Sequence, residues 1–420
     1  MDHEPGRTTA KAAQLLSALL LGDVSWAAAA AEPPKPAQYI FAWAGDEDEK
    51  DSDFLAVIDA DPASATYGKV VATAPIGVKA TMPHHIEYET PPATTLFANG
   101  WKAGHSFVLD VADPLKPRVT ADFKRAGDYS YPHSFARLPS GNVLATFQSI
   151  GDKYAPAGGL VELDERGQLV RAAPSATPDI PTAINWPYSL AVAPAIDRVI
   201  TTSTDMGMGP GWKSPATSHV QIWSLSELKL LANMQLPDSD GAKHNLYPAE
   251  PRLLADGSVY VNSFSCGLFR IEGMTSAKPT AKFVHAFPSG PAEHDMCAVP
   301  LVVGKYWIQT VGNINGFVVL DTSDPNRPVE VSRLSLPHGF HVPHWIATDR
   351  NSNRIVVTGM YDSWLAMLKF DEASGKLSLD ESFGSGGGIQ FDRADWPHGA
   401  AGKAMVHGTV FSRYATGGGR

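Results

Sequence analysis

The sequence predicts an all-β protein, a seven-bladed β-propeller whose ring is closed by the C-terminal strand joining the first blade. Three observations carry this. A Pro at the mouth of an apolar strand recurs, in Met82-Pro83-His84-His85, Tyr131-Pro132-His133, Trp186-Pro187-Tyr188, Tyr247-Pro248-Ala249, Val342-Pro343-His344 and Trp396-Pro397-His398. The prolines step by 49, 55, 61, 95 and 54 residues; the long step is two with one copy missing, where Glu293-His294-Asp295 falls. A fixed step near this length marks a repeat architecture. The intervals hold short runs rich in β-branched and aromatic residues, punctuated by Gly, Pro and Asp, which read as strands. Helical periodicity is nearly absent, and residues 224–231 form the one short stretch that supports a helix.

Taken in order, runs 39–43, 54–59 and 69–73 are three strands around an acidic loop at 46–53, with no comparable strand before them. The second set is complete: 85–88, 95–98, 106–110 and 118–121. The third starts at His133 and continues through 143–147 and 160–164; the fourth holds 188–192, 199–202 and 220–223. The fifth holds 249–254, 259–262 and 267–271, the sixth 296–299, 306–309 and 317–321, and the seventh 344–347, 355–358 and 365–368. A weaker edge strand follows each. Asp113-Pro114-Leu115-Lys116-Pro117 and Asp324-Pro325-Asn326-Arg327-Pro328 occupy the same turn in two sets. Pro fixes φ there and Asp accepts local N–H bonds. A spare strand at 405–411 completes the first set, which leaves the ring no open edge. One propeller domain is expected over 38–414, after a signal peptide and linker at 1–37 and before a flexible tail at 415–420.

The composition bounds the function. The chain has 420 residues, 44% of them hydrophobic, which is ample for a buried core. Its net charge is −10 and it has no basic run, so nucleic acid is not an expected partner. Arg7 and Lys11 precede an apolar stretch at 12–21, a small-residue run at 27–31 and a Pro-rich linker. That is the layout of a cleaved export signal, too short to span a bilayer, although Asp2, Glu4 and Asp23 are out of pattern. A periplasmic or secreted protein is expected, or a cytoplasmic one if the segment is not a signal. No other segment is apolar enough for an integral membrane span. Cys266 and Cys297 either pair or stand as two buried thiols. The Gly-rich run at 384–388 reads as a flexible loop, since no strand–helix pattern follows it.

In a propeller, residues at the start of the innermost strands face one another across the channel mouth. Here those positions hold His84, His85, His133, Tyr188, Glu250, His294, His344 and either His398 or His407. A lone Pro-His is most often a capped turn. The same residue at the same place in successive repeats points to a metal, because imidazoles with a carboxylate bind Cu, Zn, Fe or Ni. Neighbouring strand residues point to opposite faces. His84 and His85 therefore share one ion only if the strand starts irregularly, which Pro83 favours by removing a ladder donor. Otherwise one holds the other from behind. Glu87, Tyr188 and Asp295 are candidates for proton transfer, with turn capping for Asp295 and packing for Tyr188 left open. The outer-strand histidines His105, His219 and His285 read as packed or solvated.

At these residues the chain resembles the selenium-binding protein / methanethiol oxidase family, as a diverged bacterial member. Met82-Pro83-His84-His85 looks like its paired His. Pro132-His133-Ser134, with Leu138-Pro139-Ser140-Gly141 downstream, looks like its next His motif, and Ala404-Met405-Val406-His407 like its C-terminal one. Leu320-Asp321-Thr322-Ser323-Asp324-Pro325-Asn326-Arg327-Pro328 is similar to its sixth-blade signature. The likeness runs from about residue 54 to 418. It implies a seven-bladed propeller and, for bacterial members, a periplasmic copper enzyme that oxidises methanethiol with O₂ to formaldehyde, hydrogen sulfide and hydrogen peroxide. Carried over, it implies His84, His85, His133 and His407 as copper ligands, and so favours His407 over His398. Zinc or iron would suit the same imidazoles.

The chain also departs from the family. The family's Cys pair after the paired His is absent, and Glu87-Tyr88-Glu89 stands nearby, which removes the thiol associated with selenium. His294 and His344 are extra. The function expected is a copper-dependent oxidoreductase acting on a small thiol. Two rival readings stand beside it: a non-enzymatic propeller whose outer faces bind or scaffold a partner, and a metal-dependent hydrolase using the same ring. Trp101, Trp212 and Trp364 gathered beside the ring would suit a substrate pocket; spread over blade sides, they would suit a partner surface.

Overall fold

A computed structural model of the chain describes Met1 and residues 36–413, apart from residues 90, 182–184, 208–212, 240 and 291–295. The expected leader, His294, Asp295, Trp212 and the expected tail lie outside the described residues. The described chain forms seven antiparallel sheets. Their innermost strands are Gly402–Phe411, Pro83–Ile86, Tyr129–Arg137, Pro187–Ala193, Pro248–Leu253, Cys297–Val303 and Pro343–Asp349. Each touches the next and the last touches the first, so they ring a central axis. This is the seven-bladed propeller read from the repeat. The C-terminal strand Gly402–Phe411 lies antiparallel to Tyr39–Asp46, with Phe41 opposite Val410, and supplies the inner strand that blade 1 lacks.

Burial follows position in the blade. Second strands such as Tyr306–Val311 and Arg354–Gly359 are buried along their whole length because blades stack on both faces. Fourth strands alternate, as Val329–Ser335 does, because one face meets water. The helix expected at 224–231 is instead the hairpin between His219–Ser224 and Lys229–Gln235. Leu230 is buried and Leu231 exposed, a period of two, and the Asp197 carboxylate takes the Ser226 N–H at 2.6 Å to hold the turn. The Gly-rich run is likewise not only a loop. It leads into Gly388–Gln390, an extra strand paired with Trp364–Asp371. Among the described residues, no helix is long and apolar enough to cross a membrane.

One irregularity positions the site. Every inner strand carries one extra residue, near its start in blades 2 to 7 and further along in blade 1. In blade 2, Pro83 faces Gly100 but Ile86 already faces Ala98. Pro132 and Phe135, Pro187 and Leu190, and Pro248 and Pro251 bracket the same break. So do Cys297 and Pro300, Pro343 and Trp345, and Val406 and Thr409. These are β-bulges, which re-aim side chains. Two causes are visible. Met82, Tyr131, Tyr247 and Val342, each just before its Pro, take φ of 57°, 58°, 57° and 48°, and the Pro itself cannot donate to the ladder.

The second strand then plugs the bulge. Asn99 Oδ1 accepts His85 N–H at 2.6 Å while Asn99 Nδ2 donates to the carbonyls of Pro132 and His133 in the next blade. Thr146 accepts from Ser134 N–H and donates to Tyr188 O; Thr202 accepts from Ser189 N–H and donates to Ala249 O. Asn262 serves Glu250 N–H, Cys297 O and Ala298 O in the same way. The bulges are therefore also the hydrogen bonds between blades. Cys266 and Cys297 form a disulfide that joins blades 5 and 6.

Candidate metal centre

The bulges turn two consecutive residues of each inner strand toward the axis. The first residues are His84, His133 and Tyr188 in blades 2 to 4, then Ala249 and Ala298, and His344 and His407 in blades 7 and 1. Four consecutive blades, 7 to 3, thus each present an imidazole. The second residues include His85, Ser134, Ser189 and Glu250. All five of these histidines are buried, none more than 3% exposed.

Their rings are packed together. His84 lies 4.1 Å from His407 and 4.4 Å from His85 between centroids, His85 4.1 Å from His133, and His344 4.7 Å from His407. His84, His85 and His133 each offer a nitrogen within 4.8 Å of the others'. The Nε2 atoms of His84 and His133 approach to 3.2 Å, close to the roughly 3.3 Å between two nitrogens bound tetrahedrally to one ion at about 2.0 Å.

Neighbouring carbonyls fix which nitrogens are free. His133 Nδ1–H donates to Tyr188 O at 2.8 Å, and His407 Nδ1–H to His84 O at 2.9 Å. A carbonyl only accepts, so the proton sits on Nδ1 and Nε2 carries the lone pair. The Nε2 of His407 and of His85, the Nδ1 of His84 and both nitrogens of His344 are buried without a hydrogen-bond partner. Buried nitrogens left so are costly, and a cation is the partner that several converging lone pairs share. Desolvation by burial holds all five below the ordinary imidazole range, His133 at about 3 and His344 at about 4. The rings are neutral at physiological pH, the form that binds metal.

Beneath His85 lies a polar cluster. Its Nδ1 is 3.0 Å from Ser134 Oγ and 3.2 Å from the Tyr88 hydroxyl. Tyr88 donates to Glu250 Oε1 at 2.8 Å, and Ser189 and Arg252 donate to Oε2. Glu250 therefore accepts three hydrogen bonds one residue removed from the imidazoles: it supports His85 through Tyr88. The Tyr88 ring stacks on Trp345 at 4.9 Å with 7° between planes. Tyr88, Ser189 and Arg252 were not singled out from sequence. The available signal is the position two residues after each Pro, where His85, Ser134, Ser189 and Glu250 all fall.

The other candidates are placed as follows. Tyr188 packs its ring 4.0 Å from His133, and burial raises its phenol above the ordinary range. Glu87 points between blades 2 and 3, where Arg137 pairs with both its oxygens at 2.6 and 3.1 Å and Phe97 N–H donates to it. It is an interblade anchor away from the imidazoles. His398 is also apart: Nδ1 meets Thr73 Oγ1 at 2.8 Å and the ring packs on Phe54, in the outer part of blade 1. The inner strand of that blade starts later, at Gly402, and brings His407 to the axis. Trp101 lies 5.6 Å from His133, while Trp364 packs on Phe340 in blade 7. A cavity of about 390 Å³ opens beside the ring, walled in part by Met82, Pro83, Met405, Tyr361 and His407.

The fold and site define a seven-bladed propeller with a buried imidazole cluster on its axis, a geometry suited to one metal ion. No family model matches the chain. It is 27% identical over 220 residues to a methanethiol oxidase from Hyphomicrobium sp., a match covering 48% of each chain. It is 29% identical over 170 residues to a methanethiol oxidase from Ruegeria pomeroyi, covering 38% of this chain and 36% of the relative. The chain thus spans half or less of the length of the curated relatives it matches. Among solved structures, a hypothetical selenium-binding protein from Sulfolobus tokodaii superposes with a TM-score of 0.72 at 16% identity, over 90% of this chain and 94% of that one. A periplasmic gluconolactonase from Pseudomonas aeruginosa superposes with a TM-score of 0.60 at 14% identity, over 90% and 99%. Both structural likenesses speak to the fold. In sequence the chain is similar to proteins named methanethiol oxidase, and in fold to a selenium-binding protein.

Proposed function

We propose that the protein is a copper-dependent oxidoreductase that oxidises a small thiol with O₂. The observation that carries the reading is the buried cluster of neutral imidazoles, in which His84, His85 and His133 each offer a nitrogen within 4.8 Å of the others' and nitrogens of His85, His344 and His407 have no hydrogen-bond partner. It is supported by the similarity to proteins named methanethiol oxidase. His84, His85 and His133 would hold the ion, His85 through Nε2, with His407 as a further ligand. Copper suits imidazole donors and a sulfur substrate, and when bound it would supply the redox chemistry of the thiol and O₂. The balanced reaction is CH₃SH + O₂ + H₂O → HCHO + H₂S + H₂O₂, in which carbon loses two electrons and O₂ gains two.

The chain's own residues do the rest. The wall of Met82, Pro83 and Tyr361 seats a small apolar group beside His407. Burial of the ring excludes bulk water. Glu250, through Tyr88, keeps His85 Nδ1 engaged and its Nε2 directed at the ring. His344, whose two nitrogens have no partner and whose ring lies 4.7 Å from that of His407, would take the thiol proton. The Cys266–Cys297 disulfide supports residence in an oxidising compartment, as the leader-like segment does.

The test is metal content with turnover. Purified protein dialysed against copper(II) is expected to retain one copper per chain by mass spectrometry and to consume O₂ when methanethiol is added. Protein with every ring histidine intact that stays metal-free would refute the reading. Zinc retained in preference to copper, without O₂ consumption, would favour the hydrolase.

A further inference from the structure

We propose that the cavity beside His407 is the route by which a soft cation, copper(I) in class, reaches the ring, with Met82 and Met405 as its transient ligands. The proposal rests on the reading of the ring as a metal site. The four proposed ligands are at most 1% exposed, so an ion has to pass through protein to reach them. Of those ligands only His407 lines the cavity. Its Nε2 is buried and unpartnered, and the bond from Nδ1 to His84 O leaves that Nε2 a lone pair.

The walls fit a soft cation. Met82 and Met405 are half-buried and face the same space from blades 2 and 1, and thioethers prefer copper(I) to harder ions. Met82 is held there in a left-handed conformation, φ 57°, beside Thr81, whose N–H and hydroxyl both bond Asp53 at 2.8 and 2.6 Å. Across the gap stands Gly45, where an added Cβ would come within 2.7 Å of Pro83 Cδ. The rim is acidic. Asp46, Glu49 and Asp53 face the cavity with one cation, Lys102, which is itself paired with Glu49. Three carboxylates against one ammonium focus a field that draws cations in and repels anions.

Uptake kinetics on the metal-free full-length protein test this. Copper(I) is presented in a weak coloured chelator and followed by loss of the chelate's colour; cobalt(II) is followed by growth of its ligand-field bands. The Met82→Leu/Met405→Leu double variant is expected to take up copper(I) about tenfold more slowly while its cobalt(II) rate stays within about twofold. Two exposed single changes give opposite signs: Glu49→Gln slows both ions about threefold and Lys102→Gln speeds both, and these effects fade at high salt. All variants reach the wild-type end point. Unaltered copper(I) uptake by the double variant, or charge changes that move rates in one direction or not at all, would overturn the route while a full end point leaves the metal reading standing. A wild-type protein that binds neither ion at the end point removes the metal reading and the route with it.

Discussion

His344 shows what burial does to a single side chain at this site. It is 3% exposed and neither ring nitrogen has a hydrogen-bond partner, and burial alone depresses it to about 4. In the unfolded chain it titrates near 6.5. Between those values the unfolded state binds a proton that the folded state does not, so stability falls as pH falls. Each such histidine contributes a slope of about 1.4 kcal/mol per pH unit over that window. His84, His85, His133 and His407 are depressed in the same direction, so the slopes add. Metal-free protein is therefore expected to lose stability steeply between pH 6.5 and about 4 and to keep a flat profile above 7. His344→Leu, of similar volume and with no proton to lose, should gain roughly 2 kcal/mol over wild type at pH 5 and little at pH 8. Urea midpoints across pH check it; a parallel shift at all pH values would mean the change acts through packing and not through the proton.

At the scale of the element, the bulged inner strand and its plugging side chain act as one unit. Thr202 Oγ1 accepts Ser189 N–H at 3.1 Å and donates to Ala249 O at 2.6 Å, both buried. Thr202→Val keeps the shape and strands two backbone groups, so it should cost about 2–4 kcal/mol in urea unfolding. Thr310 donates to Val299 O in a longer 3.3 Å bond, and Thr310→Val should cost about 1 kcal/mol. Equal costs would show that the plug does not support the bulge. Gly408 is the matching device in blade 1. A Cβ there would come within 2.8 Å of His84 O and 3.0 Å of Ile86 N, both main-chain atoms. Gly408→Ala should push blades 1 and 2 apart and lower metal retention at fixed copper more than it lowers the unfolding midpoint.

The same unit explains what was legible in the sequence. The Pro repeat and the strand runs are local signals, and they located the blades and their order. The presence of His84, His133 and His344 at one end followed from that register, and His407 from the resemblance of its motif. That His84 and His85 both face inward did not, because their bulge is held by Asn99 from the next strand and by a positive φ at Met82, neither of which local propensity encodes. The step length alone pointed to His398. It could not reveal that Trp396-Pro397 opens a connection that runs past Thr73 before the inner strand starts. Glu87 looked available for chemistry because its partner, Arg137, is 50 residues away along the chain and adjacent only once the blades stack.

For the molecule as a whole, the ring has one seam closed by strand pairing alone and needs every interface closed. The seam is in blade 1, where Gly402–Phe411 pairs with Tyr39–Asp46. Next to it, Asp349 and Arg354 of blade 7 clasp the main chain of Ala37 at 3.1 and 3.0 Å. The disulfide sits across the ring in blades 5 and 6, spanning 31 residues. The two devices should respond differently. A chain ending at residue 401 loses the inner strand of blade 1 and His407 together, so it should lose cooperative unfolding and metal retention in one step. The Cys266→Ala/Cys297→Ala variant keeps every proposed ligand. It frees a loop of that length in the unfolded state, which should lower stability by about 3–4 kcal/mol. Cys297 N–H also donates to Phe264 O, and the Phe264 ring lies 5.5 Å from Tyr188 and 6.5 Å from His344. The cystine-free protein should therefore retain copper at wild-type stoichiometry below its lowered melting temperature, with the spectrum of the bound metal changed only slightly. Loss of the metal on removing the disulfide, in protein still folded by circular dichroism, would show that blades 5 and 6 hold part of the coordination and that the ion sits deeper toward Phe264 than the histidines of blades 1 to 3 place it.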